Sequence, residues 1–264
     1  MKIEELYKLY VSILGDTLHL VEEMDSPHEL PARAQHVLFG SLKFADAFCI
    51  ARVLMEKKPR SLLEVGSFIG LSTRWQCEIL QRTHRDGENW RLTAVDPDMR
   101  HRVFDNPRTF VEALNKAFIP EYLEVVTAFF GDLPYSMYWY ECEEANPKLD
   151  RETVDGLLSG RPRITGQWGR TFDCIFIDAN HSYESVHENF AHALPLLNPA
   201  GTILFHDALT WESVNKALLE IREQWQGKAS LEILDSSAVL EHPALNKIVG
   251  VAACDGIGVF TLLP

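Results

Sequence analysis

The stretch Ser61-Leu-Leu-Glu-Val-Gly-Ser-Phe-Ile-Gly-Leu-Ser-Thr73 predicts a strand, a glycine turn and the beginning of a helix. Its apolar run, 61–65, is typical of a buried strand. Gly66 and Gly70 allow a tight turn and let a ligand approach the backbone closely. Ser72 supplies an oxygen side chain where a helix begins, and the free N–H groups at a helix N-terminus attract carboxylates and phosphates. The stretch therefore predicts a nucleotide-like ligand at the C-terminal end of the first parallel strand.

The glycine turn alone has two other interpretations. One is a plain turn between a strand and a helix. The other is an NAD-dependent dehydrogenase, which needs a third glycine and an acid about 20 residues further on. The spacing Gly66-x-x-x-Gly70 lacks that glycine, and Asp96, at the end of the next predicted strand, lies 26 residues beyond Gly70. The spacing therefore disfavours the dehydrogenase.

The composition is that of a globular protein with one core. Hydrophobic residues make up 46% and charged residues 24% of 264, a length that allows a single domain over 1–264. The net charge of −13 disfavours a nucleic-acid partner, because phosphate binding needs a basic face. Five scattered cysteines without a C-x-x-C pair, and an N-terminus too charged for a signal peptide, predict a cytoplasmic location. We expect no membrane partner, because no apolar run approaches the ~20 residues of a membrane span.

Strands and helices alternate from residue 61 onward. This alternation, with nearly continuous apolar strands, predicts an α/β fold with a Rossmann-like, doubly wound and mostly parallel seven-stranded sheet covered by helices on both faces. The predicted strands lie near 61–65, 91–95, 123–127 with an extension toward Phe130, 172–177, 202–205, 231–235, 247–253 and 257–262. The predicted helices cover about 71–83, 107–117, 183–197 and 211–225, and 198–201 predicts a turn.

Residues 1–58 predict a helical N-terminal extension. The apolar spacing indicates an amphipathic helix over 2–24, which Gly15 can break, and a second helix from Ser41 to Lys57. Pro27 and Pro31 predict a loop between them. We favour packing helices over a lid or a dimer element, although these helices leave a homodimer open.

The predicted third and fourth strands are separated by an unusually long segment, 135–170. It contains Tyr135, Trp139 and other aromatic residues, and it predicts a short helix at 150–158. Long inserted loops are usually functional or disordered, and the aromatic content disfavours disorder. We interpret the insertion as a wall of the substrate site, with a decorative surface insertion as the alternative.

Each of the first five strands carries an acid at or just beyond its C-terminal end. These acids are Glu64, Asp96, Asp132, Asp178 and Asp207. Because ligands of open α/β sheets bind at this edge, the acids predict a polar ligand crevice. Asp96 is placed to accept hydrogen bonds from ribose hydroxyls, and a turn at Asp96-Pro97 is its alternative.

The two last acids predict a metal site. Asp178 and Asp207 end neighbouring strands, and close carboxylates repel unless a cation or proton lies between them. Such oxygen ligands suit Mg²⁺ or another divalent ion. His181 follows Asp178 by three residues and is a candidate general base, or alternatively a cap of the next helix. His206 is interpreted as a supporting or structural residue.

These motifs resemble class I S-adenosylmethionine-dependent methyltransferases over roughly 42–262. The run Glu64-Val-Gly-Ser-Phe-Ile-Gly70-Leu-Ser72 is similar to the glycine motif of catechol and caffeoyl-CoA O-methyltransferases. The strand-four motif Asp178-Ala-Asn-His181 carries histidine where catechol-type enzymes have a lysine base, which is closer to metal-dependent sugar O-methyltransferases of macrolide biosynthesis and to cephalosporin-hydroxylase-related proteins. The cofactor residues that the resemblance implies are Glu64, Gly66, Ser67, Gly70, Ser72, Asp96 and Asp132.

The resemblance implies methyl transfer to a hydroxyl of a small molecule such as a sugar, a phenol or a natural-product scaffold. His181 would act as the base, and Asp178 and Asp207 would hold a divalent ion. The chain departs from the catechol-type pattern at Ala208, where a third metal ligand, asparagine, is expected. A hydroxylase-related or non-catalytic cofactor-binding protein of the same fold is therefore the alternative.

Overall fold

The computed structural model describes residues 1–24, 30–84, 88–99, 104, 106–133, 159–243, 245 and 253–263. The helices are α1 (Ile3–Glu23), α2 (Leu30–Gly40), α3 (Phe44–Lys57), α4 (Leu71–Thr83), α5 (Pro107–Leu114), α6 (Tyr183–Ala193) and α7 (Glu212–Gln224). The strands are β1 (Ser61–Val65), β2 (Arg91–Asp96), β3 (Leu123–Thr127), β4 (Phe129–Phe130), β5 (Arg163–Ile164), β6 (Phe172–Ile177), β7 (Leu197–Phe205), β8 (Ala229–Leu234) and β9 (Ile257–Leu262).

Seven strands form one sheet in the order β3-β2-β1-β6-β7-β9-β8. The first five are parallel, and β9 runs antiparallel between β7 and β8. This confirms the predicted Rossmann-like, mostly parallel sheet. The apolar character of β1 and β6 reflects their position in its centre, where both faces are covered.

The register of the central strands brings their C-terminal ends to one edge. Val65 of β1 lies opposite Val95 and Ile177, and Ile177 lies opposite Phe205. The residue after each strand is also hydrogen-bonded to its neighbour. The backbone N–H of Gly66 donates to the Val95 carbonyl, that of Asp178 to the Val65 carbonyl, and that of His206 to the Ile177 carbonyl. The residues that follow these strands are therefore neighbours in space.

Hydrophobic layers cover both faces of the sheet. Leu62 faces the layer that contains α1, α3 and α4, whereas Leu63 faces the layer that contains α6 and α7. α1 runs unbroken through Gly15, so the predicted break is wrong. It buries Leu6 and Tyr10 against α3 and α4, which confirms the packing interpretation of this helix.

Several predicted boundaries differ from the structure. Pro31 lies in the first turn of α2 rather than in a loop, a position where proline costs no helical hydrogen bond. α3 begins at Phe44 instead of Ser41. β7 already begins at Leu197 and contains a register irregularity where the turn at 198–201 was predicted.

Three further differences concern the ends of elements. α5 ends at Leu114 and α6 at Ala193, where a 3₁₀ turn, Leu194–Leu196, follows. Phe129 and Phe130 belong to β4, which pairs with β5 in a separate two-stranded sheet, so they do not extend β3.

Two predicted elements fall mostly outside the described residues. Residues 134–158, which include the predicted helix at 150–158, belong to this part of the chain, as do residues 247–252 of the predicted strand at 247–253. Among the helices that the structure describes, none combines the length and apolar character of a membrane span.

Candidate active site

The glycine turn after β1 packs against the end of β6. Gly66 has a φ of +86°, and a Cβ atom there would lie 2.0 Å from the carbonyl oxygen of Asp178. Gly70 has a φ of +88°, and its Cβ would lie 2.8 Å from Cα of Val111. Both positions therefore require glycine, for left-handed backbone and for close packing.

Glu64 lies beneath the turn and is fully buried. Its carboxylate accepts hydrogen bonds from Ser72 Oγ at 2.7 Å, Thr73 Oγ1 at 2.5 Å and Gln76 Nε2 at 2.7 Å. Burial raises the pKa of Glu64 to about 8, against the opposing effect of these hydrogen bonds. The two hydroxyls therefore tie α4 to β1 instead of capping the helix, whose N-cap is Gly70.

Asp96 lies beside the glycine turn, as the sequence predicts. Its Oδ2 accepts hydrogen bonds from the backbone N–H of Ser67 at 3.0 Å and of Phe68 at 3.3 Å, and its Oδ1 accepts one from Asp98 N at 2.8 Å. Burial raises the pKa of this carboxyl. The buried Ser67 Oγ has no hydrogen-bond partner among the described residues, which leaves a polar atom for a ligand at this turn.

Asp132 follows β4 and is more exposed than the other strand-end acids. Its backbone N–H donates to the Glu188 carboxylate, and its Oδ2 lies 3.5 Å from His192 Nε2. Asp132 therefore lies against α6, and its side chain is 64% exposed.

Asp178, His181 and Asp207 form one cluster at the ends of β6 and β7, and their ligand atoms all lie within 4.8 Å of one another. His181 Nε2 is 2.8 Å from Asp207 Oδ2 and 3.9 Å from Asp178 Oδ1. The prediction that these strand-end acids are spatial neighbours is confirmed.

Charge pairing decides the protonation of this cluster. Burial alone would lower the pKa of His181, but Asp178 and Asp207 outweigh it and raise the pKa to about 9. Burial alone would raise the pKa of Asp178, but His206 and His181 lower it to about 2. Without a further cation, His181 is therefore a protonated imidazolium between two carboxylates.

His206 lies behind the cluster, with a side chain only 6% exposed. Its Nδ1 is 3.2 Å from Asp178 Oδ1 and 3.3 Å from Asp207 Oδ2, and its Nε2 is 3.8 Å from Asp46 Oδ2 on α3. Neither ring nitrogen makes a hydrogen bond to the described residues. Sequence reasoning missed Asp46; the available signal was a single acid on the buried face of α3.

An aromatic surface borders the cluster on the solvent side. The His181 ring stacks on Trp211, with ring centroids 4.7 Å apart. Trp211 is 50% exposed and lines an open hollow of about 410 Å³ with Tyr183, Ser213 and Lys216. A larger hollow of about 630 Å³ lies at the opposite edge, where β1, β2, β3 and β6 begin, and contains no residue of this cluster. We assign the smaller hollow to the candidate site because Trp211, which lines it, stacks on His181.

The donor set at Asp178 and Asp207 fits a divalent cation. The two carboxylates are ligands that Mg²⁺ and Mn²⁺ prefer, and the neighbouring imidazoles extend the set toward transition-metal ions. His181 Nε2 lies 2.8 Å from Asp207 Oδ2 and His206 Nδ1 lies 3.2 Å from Asp178 Oδ1, so each imidazole, once deprotonated, places a nitrogen donor next to these carboxylates.

Solved structures with a similar fold include three methyltransferases. The O-methyltransferase from Bacillus cereus in complex with SAH has a TM-score of 0.53 at 15% identity, over 96% of this chain and 91% of that chain. TomG from Streptomyces achromogenes, an O-methyltransferase in complex with SAM, has a TM-score of 0.52 at 16% identity over 100% of both chains. SAH-bound PaMTH1 from Podospora anserina has a TM-score of 0.53 at 13% identity, over 96% and 88%. At these identities, the similarity shows the fold.

A search of the curated proteins finds no match to this chain. The family described as "Methyltransferase domain" matches residues 63–208, from the middle of β1 to the residue after Asp207. The match covers more than half of the 264 residues and includes both the glycine turn and the acidic cluster. The chain therefore belongs to the methyltransferase domain family.

Proposed function

We propose that this protein is an S-adenosylmethionine-dependent methyltransferase that acts on a hydroxyl of a small molecule with the help of a divalent cation. The observation that carries the proposal is that the glycine turn and the acidic cluster lie next to each other at one edge of the sheet. The glycine turn at Gly66 packs directly on the Asp178 carbonyl, and Asp178 belongs to the acidic cluster. A cofactor on the turn would thus lie next to the groups that activate an acceptor.

The cofactor site is assigned to the residues around the glycine turn. Gly66, Ser67 and Gly70 would face the cofactor, and Asp96 would accept hydrogen bonds from its ribose hydroxyls in addition to those from the turn. Asp132 is assigned to the adenine side. Glu64 and Ser72 are assigned a supporting role, because their side chains bond to each other below the turn.

Methyl transfer needs the acceptor oxygen, the methyl carbon and the departing sulfur in line. The acceptor oxygen would form the new bond to the methyl carbon as the C–S electron pair departs with sulfur, and His181 Nε2 would accept the hydroxyl proton. A divalent cation held by Asp178 and Asp207 would lower the pKa of the acceptor hydroxyl and offset the carboxylate charge that keeps His181 protonated. Much of the acceleration would come from positioning the two reactants.

The acceptor is assigned to the hollow beside Trp211. A flat or ring-shaped acceptor would contact the exposed indole of Trp211, and its hydroxyl would be directed toward the neighbouring His181, whose ring stacks on that indole. Trp211 and Leu209 are both large exposed hydrophobic residues at this edge. A sugar, a phenol or a natural-product scaffold fits such a surface.

Transfer of a labelled methyl group from S-adenosylmethionine to a panel of hydroxylated small molecules tests the proposal. We expect His181→Ala to keep cofactor binding within about threefold but to lose at least about 100-fold in turnover, the usual contribution of a general base. His187→Ala, a histidine of α6 that pairs with Glu220, is the matched control and should retain turnover. Full activity of His181→Ala would remove the base assignment. Cofactor binding without transfer to any acceptor would favour the non-catalytic alternative, to which Ala208 points.

A further inference from the structure

We propose that His206 Nδ1 is the third protein ligand of the divalent cation at Asp178 and Asp207, and that Asp46 orients the His206 ring from behind. This inference rests on the metal site of the proposed function and adds two residues to it. It also identifies what replaces the oxygen ligand that is missing at Ala208, whose methyl side chain has no donor atom.

The backbone at the end of β7 allows two consecutive side chains to face the same site. In a regular strand, neighbouring side chains point to opposite faces. Asp207 has a φ of +60°, which is left-handed and breaks this alternation. The side chains of His206 and Asp207 therefore both approach Asp178, although they are adjacent in sequence.

The distances match a shared cation. His206 Nδ1 lies 3.2 Å from Asp178 Oδ1 and 3.3 Å from Asp207 Oδ2. Ligands at about 2.1 Å from one octahedral ion lie roughly 3 Å from each other. His181 Nε2 is 2.8 Å from Asp207 Oδ2 but 3.9 Å from Asp178 Oδ1, so it is close to one carboxylate only, and its ring stacks on Trp211 at the acceptor hollow. The geometry therefore assigns His206 to the ion and leaves His181 for the acceptor.

Asp46 is held rigidly enough to orient a ligand. Its fully buried carboxylate accepts backbone hydrogen bonds from Asp255 N at 3.0 Å and Gly256 N at 2.9 Å. It lies 3.8 Å from His206 Nε2, the nitrogen opposite the cluster. Metal-binding histidines usually direct their second N–H to such a carboxylate, and loss of that partner typically weakens metal binding 10–100-fold. Asp46 is therefore a positioning residue that acts through His206.

Binding of Mn²⁺ alone, followed by electron paramagnetic resonance, tests the assignment without any acceptor. We expect one ion per chain and a ¹⁴N coupling from a bound imidazole, which persists in His181→Ala. We expect His206→Ala to abolish the coupling and weaken binding at least about tenfold, with partial recovery of affinity in His206→Asn, whose amide oxygen replaces Nδ1. Asp46→Asn should weaken binding about 10–100-fold while the coupling remains.

Calorimetry with S-adenosylmethionine and thermal unfolding show whether each variant is folded. A ¹⁴N coupling that survives in His206→Ala and disappears in His181→Ala would overturn the assignment. Two ions per chain, with the second at Asp46 and Asp255, would also overturn it, as would the absence of Mn²⁺ binding at millimolar concentration. In that case, methyl transfer by EDTA-treated enzyme would preserve the methyltransferase activity and remove only its divalent cation, so failure of the metal site and failure of the activity are distinguishable.

Discussion

At the scale of single residues, buried charge is the property that distinguishes this site. His181 and His206 lie among the carboxylates of Asp46, Asp178 and Asp207 at the ends of two central strands. Burial alone disfavours the charged form of each side chain, and attraction between the opposite charges favours it. Sequence reasoning singled out Asp178 and Asp207 because they lie one and two residues beyond their strands, and His181 because it follows Asp178 by three residues. It treated His206 as a supporting or structural residue and did not consider Asp46, because the approach of these two side chains depends on how α3 packs on the sheet.

Glu64 gives a pH-dependent prediction at the same scale. Its pKa is raised to about 8 in the fold from an ordinary value of 4.5, so its stabilising contribution is full below pH 4.5 and declines as the pH rises through 8. Glu64→Gln, which imitates the neutral acid, should remove this decline of about 1.4 kcal/mol per pH unit between these values. Urea unfolding at pH 5 and pH 8 checks the prediction. If the difference in unfolding free energy between the wild type and Glu64→Gln were the same at both pH values, the prediction would be contradicted.

At the scale of elements, the predictions were most accurate where a strand or helix is buried in the sheet domain. β1, α4 and β6 match the predicted bounds, because their apolar runs and flanking glycines define them locally. α2 was missed because Pro31 is also compatible with the first turn of a helix. The shift at β7 arises from its irregular pairing with β6, which local sequence does not determine.

The close packing of the glycine turn after β1 against the end of β6 predicts the effect of a substitution at Gly66. Gly66→Ala would place a methyl group 2.0 Å from the Asp178 carbonyl oxygen and impose a left-handed φ on alanine. We expect a loss of at least about 2 kcal/mol in unfolding free energy, together with weaker S-adenosylmethionine binding.

Gly15→Ala is the matched control for that variant. Gly15 lies inside α1 with no atom within 4 Å of an added Cβ, so the substitution should stabilise the protein by about 0.5–1 kcal/mol. Denaturant unfolding compares the two variants. A Gly66→Ala protein as stable as the wild type would contradict the close packing of the turn against β6.

At the scale of the whole molecule, the N-terminal helices and the sheet share one core. α1 packs against α3, α4 and α5, and Asp46 of α3 lies 3.8 Å from His206, which follows β7 beside the acidic cluster. The alternation of strands and helices was sufficient to predict the sheet. It could not show that Asp46 of the extension lies next to His206, because that depends on contacts between distant segments.

Leu6→Ala tests this shared core. Leu6 is 1% exposed, and removal of its side chain should cost about 2–5 kcal/mol. Because α1 is part of the core, we expect unfolding to remain one transition at a lower midpoint by both circular dichroism and tryptophan fluorescence. Two separate transitions would show instead that the extension unfolds independently of the sheet.

The central claim is that the edge formed by the glycine turn, Asp96 and the acidic cluster binds S-adenosylmethionine. Titration calorimetry of the wild-type protein and Asp96→Ala with this cofactor, and with NAD for comparison, tests it most directly. We predict one cofactor per chain with a dissociation constant in the micromolar range, a loss of at least about tenfold in Asp96→Ala, and no heat with NAD. Absence of binding at millimolar S-adenosylmethionine, or equal affinity of the variant, would contradict the assignment.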